Sequence, residues 1–294
     1  MEGLRIACVR YLNTAPLVEG LEKLGGVTLV PTVPSRIAEM VEKGEADVGL
    51  ASLADFATAR TALSLLPCGM IGCDGPTLTV RLYSSVPFDR VTTLHADTDS
   101  RTSVVLARLA LAKLHSVHPA VAAFDARERV TPGQPPARTL DESWPETVLL
   151  IGDKVVTDHP PASRYPFELD LGEAWLRMTG LAFMYATWMC RADEADSARI
   201  RGAMDLLDHQ RRHNATRVEW IVRRRAAEAR WPEDLARRYL CELLRYEVTP
   251  RAREGAERFL GEAASAGFLP AAKAAWADEA ALVGADRRFE PFTE

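Results

Sequence analysis

Several familiar signatures are missing from this chain, and each absence removes a class of chemistry. Neither G-x-G-x-x-G nor G-x-x-x-x-G-K-[ST] occurs, so dinucleotide and P-loop readings have no local anchor. H-E-x-x-H and G-x-S-x-G are missing too, which leaves zincin and nucleophile-elbow hydrolase chemistry without support. The five cysteines (Cys8, Cys68, Cys73, Cys190, Cys241) form no C-x-x-C pair. Neither a disulfide framework nor a zinc knuckle follows, and reduced, mostly buried thiols are expected. No apolar run approaches the ~20 residues of a membrane helix. Met1-Glu2-Gly3 leads straight into Leu4–Val9 without the basic and long apolar segments of a secretory signal, so a cytoplasmic protein is expected.

Basic charge is not in excess either: 36 Lys+Arg stand against 41 Asp+Glu, a net charge of -5. That balance argues against a general nucleic-acid or anionic-membrane surface. The histidine pairs His115/His118 and His209/His213 have helical spacing but no indicated third ligand, so no metal site is expected. They read as exposed or capping side chains.

What remains is an ordinary globular composition, 47% hydrophobic and 26% charged, over 294 residues. Folding a chain of this length buries roughly 75% of its surface, enough for two lobes without staples. The first third alternates strand and helix signals. Leu4–Val9 reads as a strand, Val27–Pro31 as a second and Val48–Ala51 as a third. Between the last two, Pro34-Ser35 offers Ser35 as N-cap, and the helix behind it buries Ile37, Met40 and Val41. Such βαβ units predict a mainly parallel sheet, with ligands beyond the strands' carboxyl ends, where Asn13 and Ser52 fall.

Leu78–Ser84 is read as a further strand and Val86-Pro87 as a way out of the first lobe. A second series follows: strand Val91–Ala96, polar turn Asp97–Thr102, helix Val104–His115 and strand Val148–Ile151. Thr131–Pro145 reads as a surface loop. Phe183–Cys190 is an aromatic-rich strand that returns the chain, and from Ser197 the pattern is helical. The expected division is therefore 1–85 plus 189–294 for one lobe and 86–188 for the other, with hinge strands near 80–87 and 183–190.

Asp99-Ser100-Arg101-Thr102-Ser103 is the most informative stretch. Hydroxyls and a guanidinium gather where free helix N–H groups point outward, which makes an anion site. Simple capping is the alternative, and Arg101 also fits a surface ion pair. Asn13 supplies either an amide to the cleft or an Asx-turn. Thr79, after Gly75-Pro76-Thr77-Leu78, offers a hydroxyl or is an ordinary β-former. Asp153, at a strand end, orients a substrate hydroxyl or caps a turn.

Taken in order, these segments resemble the menaquinone-biosynthesis chorismate dehydratases of the futalosine route. The likeness runs through Val9–Leu17, Pro34-Ser35, Gly44–Val48, Gly75-Pro76, Ser100–Ser103, Leu150–Asp153, Asp170–Trp175, Thr179–Phe183 and Trp188. It covers the first two-thirds of the chain strongly and the helical tail weakly. The resemblance implies an α/β fold of two periplasmic-binding-protein-like (type II) lobes around a cleft, with a helical C-terminal tail.

It also implies a hydro-lyase that converts the dianion chorismate to 3-[(1-carboxyvinyl)oxy]benzoate without metal or organic cofactor, the substrate's own enolpyruvyl carboxylate serving as base. Asn13 and Thr79 are then the catalytic candidates, with Ser52, Ser100, Arg101, Thr102, Ser103 and Asp153 on the substrate. The sibling 1,4-dihydroxy-6-naphthoate synthase opens with a different motif where Tyr11-Leu12-Asn13 stands here. Arg10 and Thr79 replace serines of the family pattern, and Ala182 replaces a proline. A cytosolic protein that binds a small anion without chemistry is the rival from another class.

Overall fold

The computed structural model describes residues 3–97, 101–124, 144–157 and 160–278. The chain starts with β1 (Leu4–Cys8), a 3-10 turn over Leu12–Thr14 and the short helix α1 (Ala15–Val18). Strand β2 (Val27–Pro31), helix α2 (Pro34–Glu42) and strand β3 (Val48–Ser52) follow. Proline at the first turn of α2 costs no hydrogen bond, and Ile37, Met40 and Val41 are buried on one face. β1 lies parallel between β2 and β3, so the residues after β1 and β3 share one edge.

Helix α3 (Leu53–Thr58) leads to β4 (Leu63–Cys73), the longest strand described. Next come β5 (Val80–Ser84), β6 (Thr93–Asp97), α4 (Arg101–His115), β7 (Ala120–Phe124), β8 (Thr147–Ile151) and α5 (Lys154–Thr157). β9 (Phe167–Asp170), α6 (Leu171–Thr179) and β10 (Phe183–Arg191) bring the chain back. α7 (Ala198–Ala215), α8 (Val218–Glu228), α9 (Glu233–Arg238), a π-helical turn over Tyr239–Leu243, the two-residue β11 (Leu244–Arg245) and α10 (Pro250–Ser265) complete it.

Two sheets result among the described residues. One has the order β11-β4-β10-β3-β1-β2 and the other β7-β6-β8-β5-β9. Both are mixed rather than mainly parallel: β10 runs antiparallel to β3 and β4, and β5 antiparallel to β8 and β9. Sheet membership also displaces the expected lobe boundaries. β5, assigned to the first lobe from sequence, pairs with β8 and β9 in the second sheet. β10, expected to straddle the boundary, pairs along its length with β3 and β4 in the first. The chain crosses between sheets at residues 74–79 and 180–182. Val86-Pro87 merely precedes a 3-10 turn.

β4 contains Pro67 and Gly69, residue types that ordinarily interrupt a strand. They sit where the β4–β10 register shifts, with Thr187 paired to Met70 and Trp188 to Leu66. Pro and Gly are tolerated at such a bulge. The Thr187 hydroxyl lies 2.9 Å from the freed carbonyl of Gly69 and donates to it. The helical tail packs back onto the first sheet, and β11 adds a strand to its edge beside β4.

Candidate active site

The site is built around the first crossing, residues 74–79. Leu78 adopts a left-handed backbone with φ 73, which costs a side-chain-bearing residue roughly 1–2 kcal/mol. Asp170, at the end of β9, holds it there. Its Oδ1 accepts from Thr77 N at 2.9 Å and its Oδ2 from Leu78 N at 2.7 Å. The same carboxylate caps α6 by accepting from Gly172 N and Glu173 N. A side chain at Gly172 would put its Cβ 2.1 Å from Thr77 Oγ1, so only glycine lets the α6 start approach this turn. The strained turn delivers Thr79, whose carbonyl accepts from Gly152 N at 2.9 Å.

Thr79 is buried, and its Oγ1 lies 2.6 Å from the hydroxyl of Tyr239, in the π-helical turn. The side chain of Asn13, in the 3-10 turn after β1, faces the same hydroxyl and opposes the rise of its pKa, as a donor would. The two residues singled out as catalytic candidates are therefore brought together, through a third that sequence reasoning missed. Burial pushes the Tyr239 hydroxyl well above the ordinary phenol range, and nearby Asp153 adds to the effect, while the side chains of Thr79 and Asn13 oppose it. The Asx-turn alternative for Asn13 does not describe this side chain.

Asp153 follows β8 in the second lobe and reaches across to the first, its Oδ2 accepting from Leu12 N at 3.3 Å. Ser52, at the end of β3, meets Thr102 of α4: the hydroxyls are 2.5 Å apart, Thr102 N donates to Ser52 Oγ at 3.3 Å, and Ala54 N donates to Thr102 Oγ1 at 2.8 Å. Ser103 is buried beside Thr102. The lobes thus touch directly both at Asp153 and at Thr102.

Arg101 goes elsewhere. Its guanidinium pairs with the buried Asp55 of α3 at 3.1 Å, the ion-pair alternative weighed from sequence. Ser100 lies outside the described residues. A pair the sequence reading missed stands behind this region: Lys154 Nζ and Asp97 Oδ2, both buried, are 2.6 Å apart at the ends of β8 and β6. Two isolated charges 57 residues apart carry no sequence signal.

A groove of about 950 Å³ opens beside the site, lined by Arg10, Tyr11, Leu12 and Asp153 and by Arg225 and Arg230 at the end of α8. Arg10 is exposed on its wall, so the charge that departs from the family pattern borders the site without entering it. Among the described residues no three His, Cys, Asp or Glu side chains gather as a metal set, and no helix is long and apolar enough to cross a membrane.

Two α/β lobes, two crossings and a site between them define a class, that of the periplasmic-binding-protein fold. Solved structures share it at low identity. A protein of Archaeoglobus fulgidus superposes with a TM-score of 0.65 at 13% identity, covering 91% of this chain and 99% of that one. The alkanesulfonate-binding protein SsuA of Xanthomonas axonopodis, bound to MOPS, gives 0.60 at 14%, covering 92% and 95%. The two-lobed fold expected from the sequence is the one found.

The family is narrower than the fold. Residues 4–265 match the family model described as menaquinone biosynthesis, and the chain belongs to that family. A curated relative, the chorismate dehydratase of Thermus thermophilus, is 26% identical over 275 residues, covering 89% of this chain and 95% of the relative.

Proposed function

We propose that this protein is a carbon–oxygen lyase of menaquinone biosynthesis that removes water from chorismate, yielding 3-[(1-carboxyvinyl)oxy]benzoate. Family membership and the Thermus thermophilus relative support the substrate. The observation that carries the reading is the meeting of Asn13 and Thr79, from two separate segments, at one buried hydroxyl with Asp153 close by.

The reaction needs the C3 proton and C4 hydroxyl of the ring to leave. Loss of the proton spreads negative charge onto the ring carboxylate, which fixed donors stabilise more in the transition state than in the ground state. In this reading Ser52, Thr102 and Ser103, with the first amides of α4, hold one carboxylate. Hydrogen bonds to a charged group contribute ~1.5–3 kcal/mol each, more than the ~0.3–1 kcal/mol of the helix dipole. Asn13 and Thr79 flank the reacting carbons, and the enolpyruvyl carboxylate takes the proton, which requires no His or Glu at the ring. Thr79 and Thr102 are buried as the lobes stand, so chorismate binds when the lobes part and reacts when they close. The reaction takes place in the cytoplasm and uses no cofactor.

Purified protein incubated with chorismate tests this. Appearance of the aromatic ether supports it, and Asn13→Ala and Thr79→Val should each lower kcat/KM by ~10²-fold or more with the fold kept. Unchanged kcat/KM in both variants removes the site assignment. A second reading, capture of a small anion without chemistry, is favoured by the likeness to binding proteins such as SsuA. Binding of chorismate without turnover would select it.

A further inference from the structure

The arginine-rich helical tail has so far only been a packing partner, yet it supplies the hydroxyl on which the site converges. We propose that Tyr239 is a positioning residue that joins Asn13 and Thr79 into one hydrogen-bonded unit and fixes which way its protons point. The inference rests on the chorismate reading of the same site.

The direction follows from donor chemistry. Asn13 Oδ1 is buried and has no hydrogen-bond partner among the described residues, and the side chain lowers the pKa of the Tyr239 hydroxyl, as the Nδ2 end of the amide does when it faces a phenol. An amide N–H only donates, so the Tyr239 oxygen accepts there. Its single O–H is then directed to Thr79 Oγ1, 2.6 Å away. Thr79 accepts that bond, and its own proton is left to point elsewhere. The unit therefore presents one donor, the Thr79 hydroxyl, and one acceptor, Asn13 Oδ1. A hydroxyl that leaves as water keeps its own proton and takes up a second, the one the enolpyruvyl carboxylate removed from C3: a donor on its oxygen assists cleavage of the C–O bond, and an acceptor for its O–H orients it. The C4 hydroxyl of chorismate is such a group.

Tyr239 is held for this role. It lies in a π-helical turn, a conformation that recurs at functional sites. Its ring stacks on Trp231 with centroids 5.0 Å apart and an interplanar angle of 19°. The apolar cluster around it contains Leu12, and Leu78 packs against that cluster. These are the residues that immediately precede Asn13 and Thr79. Tyr239 thus shares one apolar cluster with the residues before Asn13 and Thr79 while its hydroxyl faces both side chains.

Tyr239→Phe keeps the ring and deletes the hydroxyl. Turnover of chorismate is measured for the wild type, Tyr239→Phe, Thr79→Val and the double variant. Tyr239→Phe should lower kcat roughly 10–100-fold, with KM within about 2-fold, since orientation and not binding is lost. A melting temperature within about 5 °C of wild type shows the fold is kept. If Tyr239 acts through Thr79, the double variant is no slower than Thr79→Val alone. Losses that multiply, a kcat change under about 2-fold or a rise confined to KM would overturn the role while leaving the dehydratase reading standing. Wild-type protein inert toward chorismate overturns both.

Discussion

Asp170→Asn tests how the strained crossing is tied to the site. The wild-type carboxylate accepts from two consecutive amides, Thr77 N at Oδ1 and Leu78 N at Oδ2, and caps α6 through Oδ1 alone. An asparagine keeps one carbonyl oxygen and replaces the other with an amide nitrogen. With the oxygen in the Oδ1 position, the α6 cap and the Thr77 bond survive, while Leu78 N faces another donor. Losing a bond to a charged acceptor and leaving a buried amide unpaired costs about 2–4 kcal/mol. The left-handed Leu78 is then held by less than its own strain and relaxes toward a commoner backbone. Thr79 moves with it, and a shift of about 1 Å at a catalytic group costs on the order of 10²-fold in rate.

Urea unfolding should therefore show the 2–4 kcal/mol loss, or a fall of roughly 4–12 °C in Tm, with helical circular dichroism unchanged. Steady-state assays should show kcat, more than KM, reduced. A stability loss with wild-type kcat would show that the turn does not place Thr79. Wild-type stability would show that the carboxylate does not hold the turn.

Other perturbations reach separate parts of the account. Thr102→Val leaves Ala54 N without its acceptor, at about 1–3 kcal/mol for the unpaired group, while Ser52 Oγ loses the hydroxyl and keeps the bond from the backbone amide of residue 102. It should raise the KM for chorismate, and an unaltered KM would contradict a carboxylate site there. Burial raises the Asp55 carboxyl from 3.8 to about 6, with Arg101 pulling it down. Because its folded pKa exceeds its unfolded one, the native state binds the extra proton between about pH 4 and 6, and stability falls as pH rises through that window, by roughly 3 kcal/mol in all. Asp55→Asn should remove that slope from urea melts taken across the window; an identical slope in the variant would refute the assignment. Cys8, Cys68, Cys73 and Cys190 are buried and Cys241 is exposed, so a thiol reagent should titrate one group in native protein and all five once it is unfolded. Rapid reaction of a second native thiol would contradict the packing.

Much of the first lobe was legible because its cues are local. The β1–turn–Asn13 segment, the buried face of α2 and Ser52 at a strand end follow from alternation and the carboxyl-edge rule, whereas the cap expected at Ser35 falls inside α2, which starts at Pro34 after Val33. The crossings were misplaced because Pro87 is as strong a local breaker as Pro76, and only strand pairing shows that β5 belongs to the second sheet. Tyr239 escaped notice for a different reason. In a run of arginines at helical spacing it reads as one more amphipathic position, and its meaning lies in a contact with Thr79, 160 residues away. Asp170 was visible as part of a family-like segment, yet its grip on Leu78 N spans 92 residues. Arg101 had two readings, an anion site beside hydroxyls or an ion pair, and only the fold reveals the buried carboxylate of Asp55 opposite it.

The central claim concerns chemistry in a closed cleft, and mass analysis of chorismate incubated with the purified protein addresses it most directly. The account predicts a product lighter by one water, with the absorbance of a substituted benzoate, formed far more slowly by Asn13→Ala. Chorismate recovered intact from protein that demonstrably binds it would contradict the claim.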